Sequence, residues 1–207
     1  MRRTKEDAEL TRRSLLEAAL EVFSQKGFDA ARLEDVAKAA GVTRGAIYHH
    51  FGGKFELFRA LVEDASESSA QAVQRAIAEG GSFLEIARRV LIYSLEFLQQ
   101  NTHFRQVTAL YLFKAGSSPE LADFRQQREE AIQRQVEEVA GFFRTALAQK
   151  AVRDDLDPRL AAQAFLAYQN GLMLLWLLNP EIVSIDNDAD ALADVFIRGI
   201  DREDPMQ

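Results

Sequence analysis

A chain of 207 residues, 47% of them apolar, is long enough for one or two modest domains with a buried core, and the absence of cysteine excludes a disulfide framework or a thiolate zinc site. The net charge of −7 argues against nucleic acid on totals alone, but it is unevenly spread: residues 1–60 hold 11 Lys+Arg against 9 Asp+Glu, while 61–207 hold 14 against 23. A mildly basic head on an acidic body suits a protein that meets DNA only through the head, since phosphate attraction is screened beyond about 10 Å at 0.1 M salt.

The first helix is predicted to open at Thr4, with Asp7 at capping-box spacing, to bury Leu16, Ala19, Leu20 and Phe23, and to stop at Gly27. Arg2, Arg3 and Lys5 form either a basic arm for a minor groove or a solvated terminus. Leu33, Val36, Ala37 and Ala40 then fall at helical spacing, Gly41 interrupts, and Ile47 and Phe51 resume the apolar stripe on a second short helix. Two short helices joined by a tight glycine turn are a helix-turn-helix, whose second helix packs its apolar side inward and offers its other side to a DNA major groove. That outer set is Thr43, Arg44, Gly45, Tyr48 and His49. Arginine can grip a guanine edge with two hydrogen bonds, threonine, tyrosine and histidine can bond phosphate, and glycine lets the backbone come close. Gly52-Gly53 turns the chain, and Lys54 in the first turn of the next helix opposes the helix dipole, so a phosphate is a natural partner for it.

The run AAGVTRGAIYHHFGGKFEL resembles the DNA-binding segment of TetR-type bacterial repressors: a helix, Gly-Val, a recognition helix ending in Y-x-H-F, two small residues and a lysine. Upstream, RRTKEDAELTRRSLLEAALEVFSQKGF is similar to the first helix of the AcrR/TtgR-like subgroup, which controls multidrug efflux operons. Beyond about residue 65 the likeness thins to FRQQREEAI and AYQNGL. The chain departs from the family at Ala31-Arg32, where relatives carry a threonine cap; Arg32 can replace a hydroxyl–phosphate contact with a charged one, at a cost of about 1 kcal/mol for the missing cap.

From Lys54 to about Glu79 the pattern predicts one long helix, with Leu57, Phe58, Leu61 and Val62 belonging to the head and Ser66 to Ile77 to the body. Gly80-Gly81 breaks it, and Ser82 with Glu85 forms a capping box for a helix reaching about Gln100. A short apolar helix carries Phe104, Val107, Leu110, Tyr111, Leu112 and Phe113. Ser118-Pro119 is a cap and first-turn proline opening a long helix to about Lys150, and Asp157-Pro158 repeats that signal. The helix after Pro158 is apolar all round: Ala164, Phe165, Tyr168, Leu172, Leu175 and Trp176 on one face, Leu166, Met173, Leu174 and Leu177 on the other. Its longest apolar run, Leu172 to Leu178, is well short of the roughly 18 residues a membrane span needs; one side of the helix can meet the body's own core, and the second is expected to meet another copy of the protein. A last helix, Ala189 to about Ile200 with Leu192, Val195, Phe196 and Ile200 on one side, would join that seam. In the resembling family the last two helices of each subunit pair as a four-helix dimer bundle.

No phosphate-binding glycine loop, nucleophile elbow or metal-binding histidine pair is present; His49 and His50 are adjacent, and His103 is remote in sequence. Neither catalysis nor a cofactor nor a metal is expected. Likeness to the TtgR-like subgroup places Thr108, Leu112 and Asn170 among drug-pocket positions. Read from the residues alone, Thr108 equally suits a hydroxyl bonded back to its own helix, and Asn170 a hydrogen bond across the dimer seam. The expectation is an all-α protein of about nine helices, with a three-helix helix-turn-helix DNA-binding domain at 1–54 and a ligand-binding and dimerisation domain at 55–207 whose first helix is shared with the head. It would be a cytoplasmic homodimer that binds a palindromic operator through Arg32, Thr43, Arg44, Gly45, Tyr48, His49 and Lys54, and that a small hydrophobic inducer releases, with an efflux operon as target. The dimer seam would use Leu166, Met173, Leu174, Leu177 and Phe196. Alternatives are a constitutive regulator without inducer and a helical adaptor whose head binds protein.

Overall fold

The computed structural model describes residues 5–115 and 119–202. Among these residues there are nine α-helices and no strand: α1 (Lys5–Ala30), α2 (Leu33–Ala39), α3 (Arg44–His50), α4 (Lys54–Ala78), α5 (Phe83–Gln100), α6 (Thr102–Lys114), α7 (Ala122–Ala148), α8 (Pro158–Leu178) and α9 (Ile185–Ile200). The predicted cap at Thr4, the basic arm at Arg2 and Arg3, and the cap at Ser118 lie outside the described residues. The chain forms two compact units, 1–68 with 103–126, and 69–102 with 127–207.

In the first unit, α1 turns sharply at Gly27, whose φ of 76° and ψ of 164° are not helical. The break swings Phe28 onto Phe23 and Phe58, three fully buried rings with centroids 5.1 to 5.9 Å apart. Phe124 extends the cluster edge-on to Phe58, Phe55 and Tyr111. Edge-to-face ring pairs each contribute about 0.5–1.5 kcal/mol beyond the area they bury, which gives this unit a rigid centre. Lys114 Nζ donates to the carbonyl of Ser24, tying the end of α6 to α1.

In the second unit, Ser82 and Glu85 form the predicted capping box of α5, with Ser82 Oγ accepting from the Glu85 amide. Arg88 of α5 donates to Asp194 and Asp190 of α9, each at 2.7 Å. Gln169, a polar interruption in apolar α8, donates to Ser94 Oγ, and that buried hydroxyl donates onward to the carbonyl of Val90. The pair satisfies both groups where an unpaired one would cost about 1–3 kcal/mol. Phe83 stacks edge-on against Phe143, and Phe165 against Phe196.

Several sequence expectations need correction. Pro119 begins a 3₁₀ turn, Pro119–Leu121, and α7 starts only at Ala122. In the single chain, α8 buries Phe165, Leu166, Leu172 and Trp176 and leaves Leu174, Leu175 and Leu178 exposed, so one face is open as expected but the faces are drawn differently. Leu166 thus sits in the chain's own core and Leu175 outside it, the reverse of the predicted faces. The reason is that Ala161, Ala162, Phe165, Leu172 and Trp176 set the inward stripe, and Leu166 flanks Ala162 one turn on. By length and mean hydropathy α8 passes the test for a membrane-crossing helix, a test that core helices also pass. On α9 the buried positions are Ile185, Ala189, Ala193 and Ile200, while Val195 points outward.

Candidate nucleic-acid interface and apolar cavity

Helix α2 ends as its residues dictate. Gly41 adopts φ +66°, its amide bonds the carbonyl of Lys38, and the Val42 amide bonds that of Ala37, which is a Schellman cap. A β-carbon at that φ costs about 1–2 kcal/mol even where space is open, so Gly41→Ala is expected to lower the head's stability by that amount in a thermal melt, without changing contacts elsewhere. At the other end of α2, Arg32 supplies no side-chain cap, as expected, but its amide donates to Asp35 Oδ2 at 3.3 Å. Half of the missing cap is therefore restored from within the helix. Lys26 Nζ, 2.8 Å from the same carboxylate, and then the Arg32 amide hold Asp35 below the ordinary carboxylate range.

The turn delivers α3 with Thr43 as its N-cap residue and Ile47 fully buried. Burying Ile47 fixes the helix's rotation, because residues two positions away, Gly45 and His49, then lie on the opposite face. Arg32, Thr43, Arg44, Gly45, Tyr48 and His49 are all exposed. The Thr43 hydroxyl makes no cap bond, which leaves it available to an incoming acceptor. His49 stacks edge-on to His50. Arg44 does not wave in solvent: Nη1 lies 2.6 Å from Glu34 Oε1, Nη2 donates to Tyr48 Oη at 2.7 Å, and the guanidinium carbon stands 5.3 Å from the Tyr48 ring centroid. The Tyr48 hydroxyl, and after it the Glu34 charge, raise the Arg44 pKa further. Sequence reasoning missed Glu34; its only signal was an acidic residue ten positions before the arginine, which no helical spacing connects.

Lys54 is placed differently from the outward set. It is half-buried, its Nζ donates to the carbonyl of Asp29 at 3.2 Å, and it lies 4.5 Å from the Phe28 ring centroid. One or two of its three donors remain for a phosphate. Lys54→Ala is expected to weaken operator and random DNA alike, to reduce the salt slope by about one unit, and to cost the head about 1 kcal/mol from the lost cation–π and carbonyl contacts. Binding measured across a salt series with an unchanged slope would leave Lys54 a structural clamp only.

The second unit contains a cavity of about 140 Å³ lined entirely by apolar side chains, among them Val73 and Ile77 of α4, Ile86 and Val90 of α5, Phe143 of α7 and Phe165 of α8. Thr108, Leu112 and Asn170 are not among its lining residues. Thr108 Oγ1 donates to the carbonyl of Phe104, Asn170 Nδ2 to that of Leu166, and Leu112 is exposed. The cavity could have been suspected from the Phe83, Ile86, Val90, Val139 and Phe143 stripes, but a stripe does not say whether facing side chains meet or leave a gap. Among the described residues no cluster of His, Asp or Glu is arranged to hold a metal.

The N-terminal region matches the family of bacterial regulatory proteins named for TetR over residues 15–61, and residues 82–201 match the C-terminal region of MAATS-type transcriptional repressors. The chain is 32% identical over 195 residues to the HTH-type transcriptional regulator TtgR of Pseudomonas putida, covering 94% of this chain and 93% of that one. It is 32% identical over 190 residues to AcrR of Shigella flexneri, covering 91% and 88%. Among solved structures it superposes with a TM-score of 0.84, at 29% identity, on NalD, the secondary repressor of the MexAB-OprM multidrug efflux pump in Pseudomonas aeruginosa, over 96% of this chain and 100% of that one. An exposed recognition helix anchored by Ile47, matched at both ends to one family, identifies the chain as a member of the TetR family of bacterial regulatory proteins, a DNA-binding transcriptional repressor rather than an enzyme.

Proposed function

We propose that the protein is an inducer-released repressor of a multidrug efflux operon, acting in the cytoplasm as a homodimer on a palindromic operator. The observation that carries this reading is α3: Arg44, Tyr48, Thr43 and His49 stand exposed on one surface while Ile47 locks the helix from behind. In this reading Arg44 reads a base edge, and Arg32, Thr43, Tyr48, His49 and Lys54 hold phosphates around the close approach at Gly45. A two-fold dimer would set two such helices about 34–36 Å apart, one turn of duplex. The reading divides the chain functionally into the DNA-binding residues 1–54 and a regulatory body from 55 onward. The likeness to TtgR, AcrR and NalD supports an efflux operon as the target.

The dimer seam is best drawn on the face that α8 leaves open. Leu160, Ala164, Ala167, Gly171, Leu174 and Leu178 recur at alternating spacings of four and three, and none of them is buried. That is the spacing of a helix–helix seam, with small residues at its middle where two helices can approach closely. Leu174 stays from the predicted set, Met173 and Leu177 flank it half-buried, Phe196 is half-buried against Phe165 and Tyr168, and Leu166 is replaced by Leu178.

The cavity favours an induced over a constitutive regulator. Cavities of about 150 Å³ lined by hydrocarbon accept a molecule of benzene size, whereas drug-sized ligands need about 300 Å³ or more. A larger ligand must therefore part α4, α5 and α7, and α4 is one continuous helix from Lys54 to Ala78. To move the population from 1:99 to 99:1 in favour of a non-binding state, the ligand must prefer that state by about 5.5 kcal/mol. Thr108, Leu112 and Asn170 remain candidates for the wall of that enlarged pocket. Gel shifts on the promoter next to the protein's own gene, with and without a panel of neutral aromatic compounds, test the whole reading. A retarded band that the compounds dissolve supports it, a band indifferent to them marks a constitutive regulator, and no band at all marks an adaptor.

A further inference from the structure

The outward face of the head carries a negative group where DNA phosphate would be expected to repel it. Glu34 is in the first turn of α2 and Arg44 is the first residue of α3, and their side chains are 58% and 54% exposed. Asp35, its neighbour, is already held by Lys26 and the Arg32 amide, so Glu34 is the carboxylate left to face Arg44. With Tyr48 Oη on the other side, the guanidinium is held at two points on two helices. Two of its five N–H groups are occupied, which leaves three for a further acceptor.

We infer that Glu34 is a specificity-determining residue: it positions Arg44 and cancels much of its charge, so that Arg44 favours the neutral acceptor edge of a guanine over a phosphate. This rests on the reading of Arg44 as the base-contacting residue. The physical reason is a difference in what each target needs. A phosphate attracts a net positive charge at a distance and takes an arginine in many orientations, so a guanidinium already paired with a carboxylate is a poor phosphate ligand. The O6 and N7 of guanine are dipolar acceptors that need two donors correctly aimed, and a pre-oriented guanidinium still supplies them. An exposed ion pair of this kind contributes little to stability, so its use is in binding.

The test compares Glu34→Gln, which keeps length and shape, with the wild type on two duplexes: one enriched by the wild-type protein from a randomised pool, and a shuffled duplex of equal composition. The expected result is a roughly three- to tenfold gain in affinity for the shuffled duplex, a salt slope steeper by about one unit, and a smaller change on the enriched duplex, so that the ratio between them falls. In an Arg44→Ala background the same substitution should shift both duplexes equally and leave the ratio alone. An unchanged ratio in the wild-type background, or a ratio that falls just as far without Arg44, overturns the proposal. Failure of the underlying reading shows separately, as Arg44→Ala alone weakening both duplexes to the same extent.

Discussion

Arg44→Ala should weaken binding to the operator by about 1–3 kcal/mol for each recognition helix, roughly five- to 150-fold per half-site, and relax base preference at one position in each. The magnitude follows from the geometry of the free head. Arg44 is pre-oriented by Glu34 and Tyr48, so little side-chain entropy remains to be lost on binding, and its removal forfeits two directed hydrogen bonds. Tyr48 would lose its guanidinium partner but keeps its place, because Ile47 holds α3 against the core. Competition titrations with every single-base variant of one half-site distinguish the two outcomes. Flattened discrimination at a single position identifies a base reader, and a uniform loss across all variants identifies a phosphate contact.

Leu174→Glu should convert the protein to monomers and abolish operator binding at concentrations where the wild type binds fully. Leu174 is 38% exposed in the single chain and lies midway between Gly171 and Leu178, 61% exposed, on the open face of α8. A glutamate there would place two like charges at the centre of an apolar seam, where burying each unpaired ion costs several kcal/mol. Binding one operator through two heads relies on the second contact being effectively intramolecular, an advantage of about 10²–10⁴ that vanishes in a monomer. The substitution should leave the folded subunit intact, since the residue does not contribute to the buried stripe of Phe165, Leu172 and Trp176. Sedimentation showing a dimer with unimpaired operator affinity would move the seam elsewhere, with Val195 of α9, 64% exposed, the next position to test.

How far each element could be read from residues depended on whether its signal was local. The helix-turn-helix was legible because Ile47, Gly41 and Val36 act within a few residues of one another: a buried anchor, a left-handed turn and an apolar stripe that only one local geometry satisfies. The same holds for the capping box at Ser82 and Glu85 and the cap of Asp157 on Arg159 and Leu160. Periodicity on α8 was legible too, yet its inward face was not. Nearly every position from Ala161 to Leu178 is apolar, so composition could not say which stripe meets the core, and Leu166 and Leu175 exchanged places.

Local chemistry along the chain therefore established an all-helical protein with a helix-turn-helix head, because caps, glycine turns and helical periods are short-range constraints that each segment satisfies by itself. Three matters waited on side chains brought together from afar: the hold of Glu34 on Arg44, the clamp of Lys54 on Asp29 and Phe28, and the gap left among Ile77, Val90, Phe143 and Phe165. Each depends on distances between residues ten to nearly ninety positions apart. Those distances are set by how helices pack, and no helix carries that information alone.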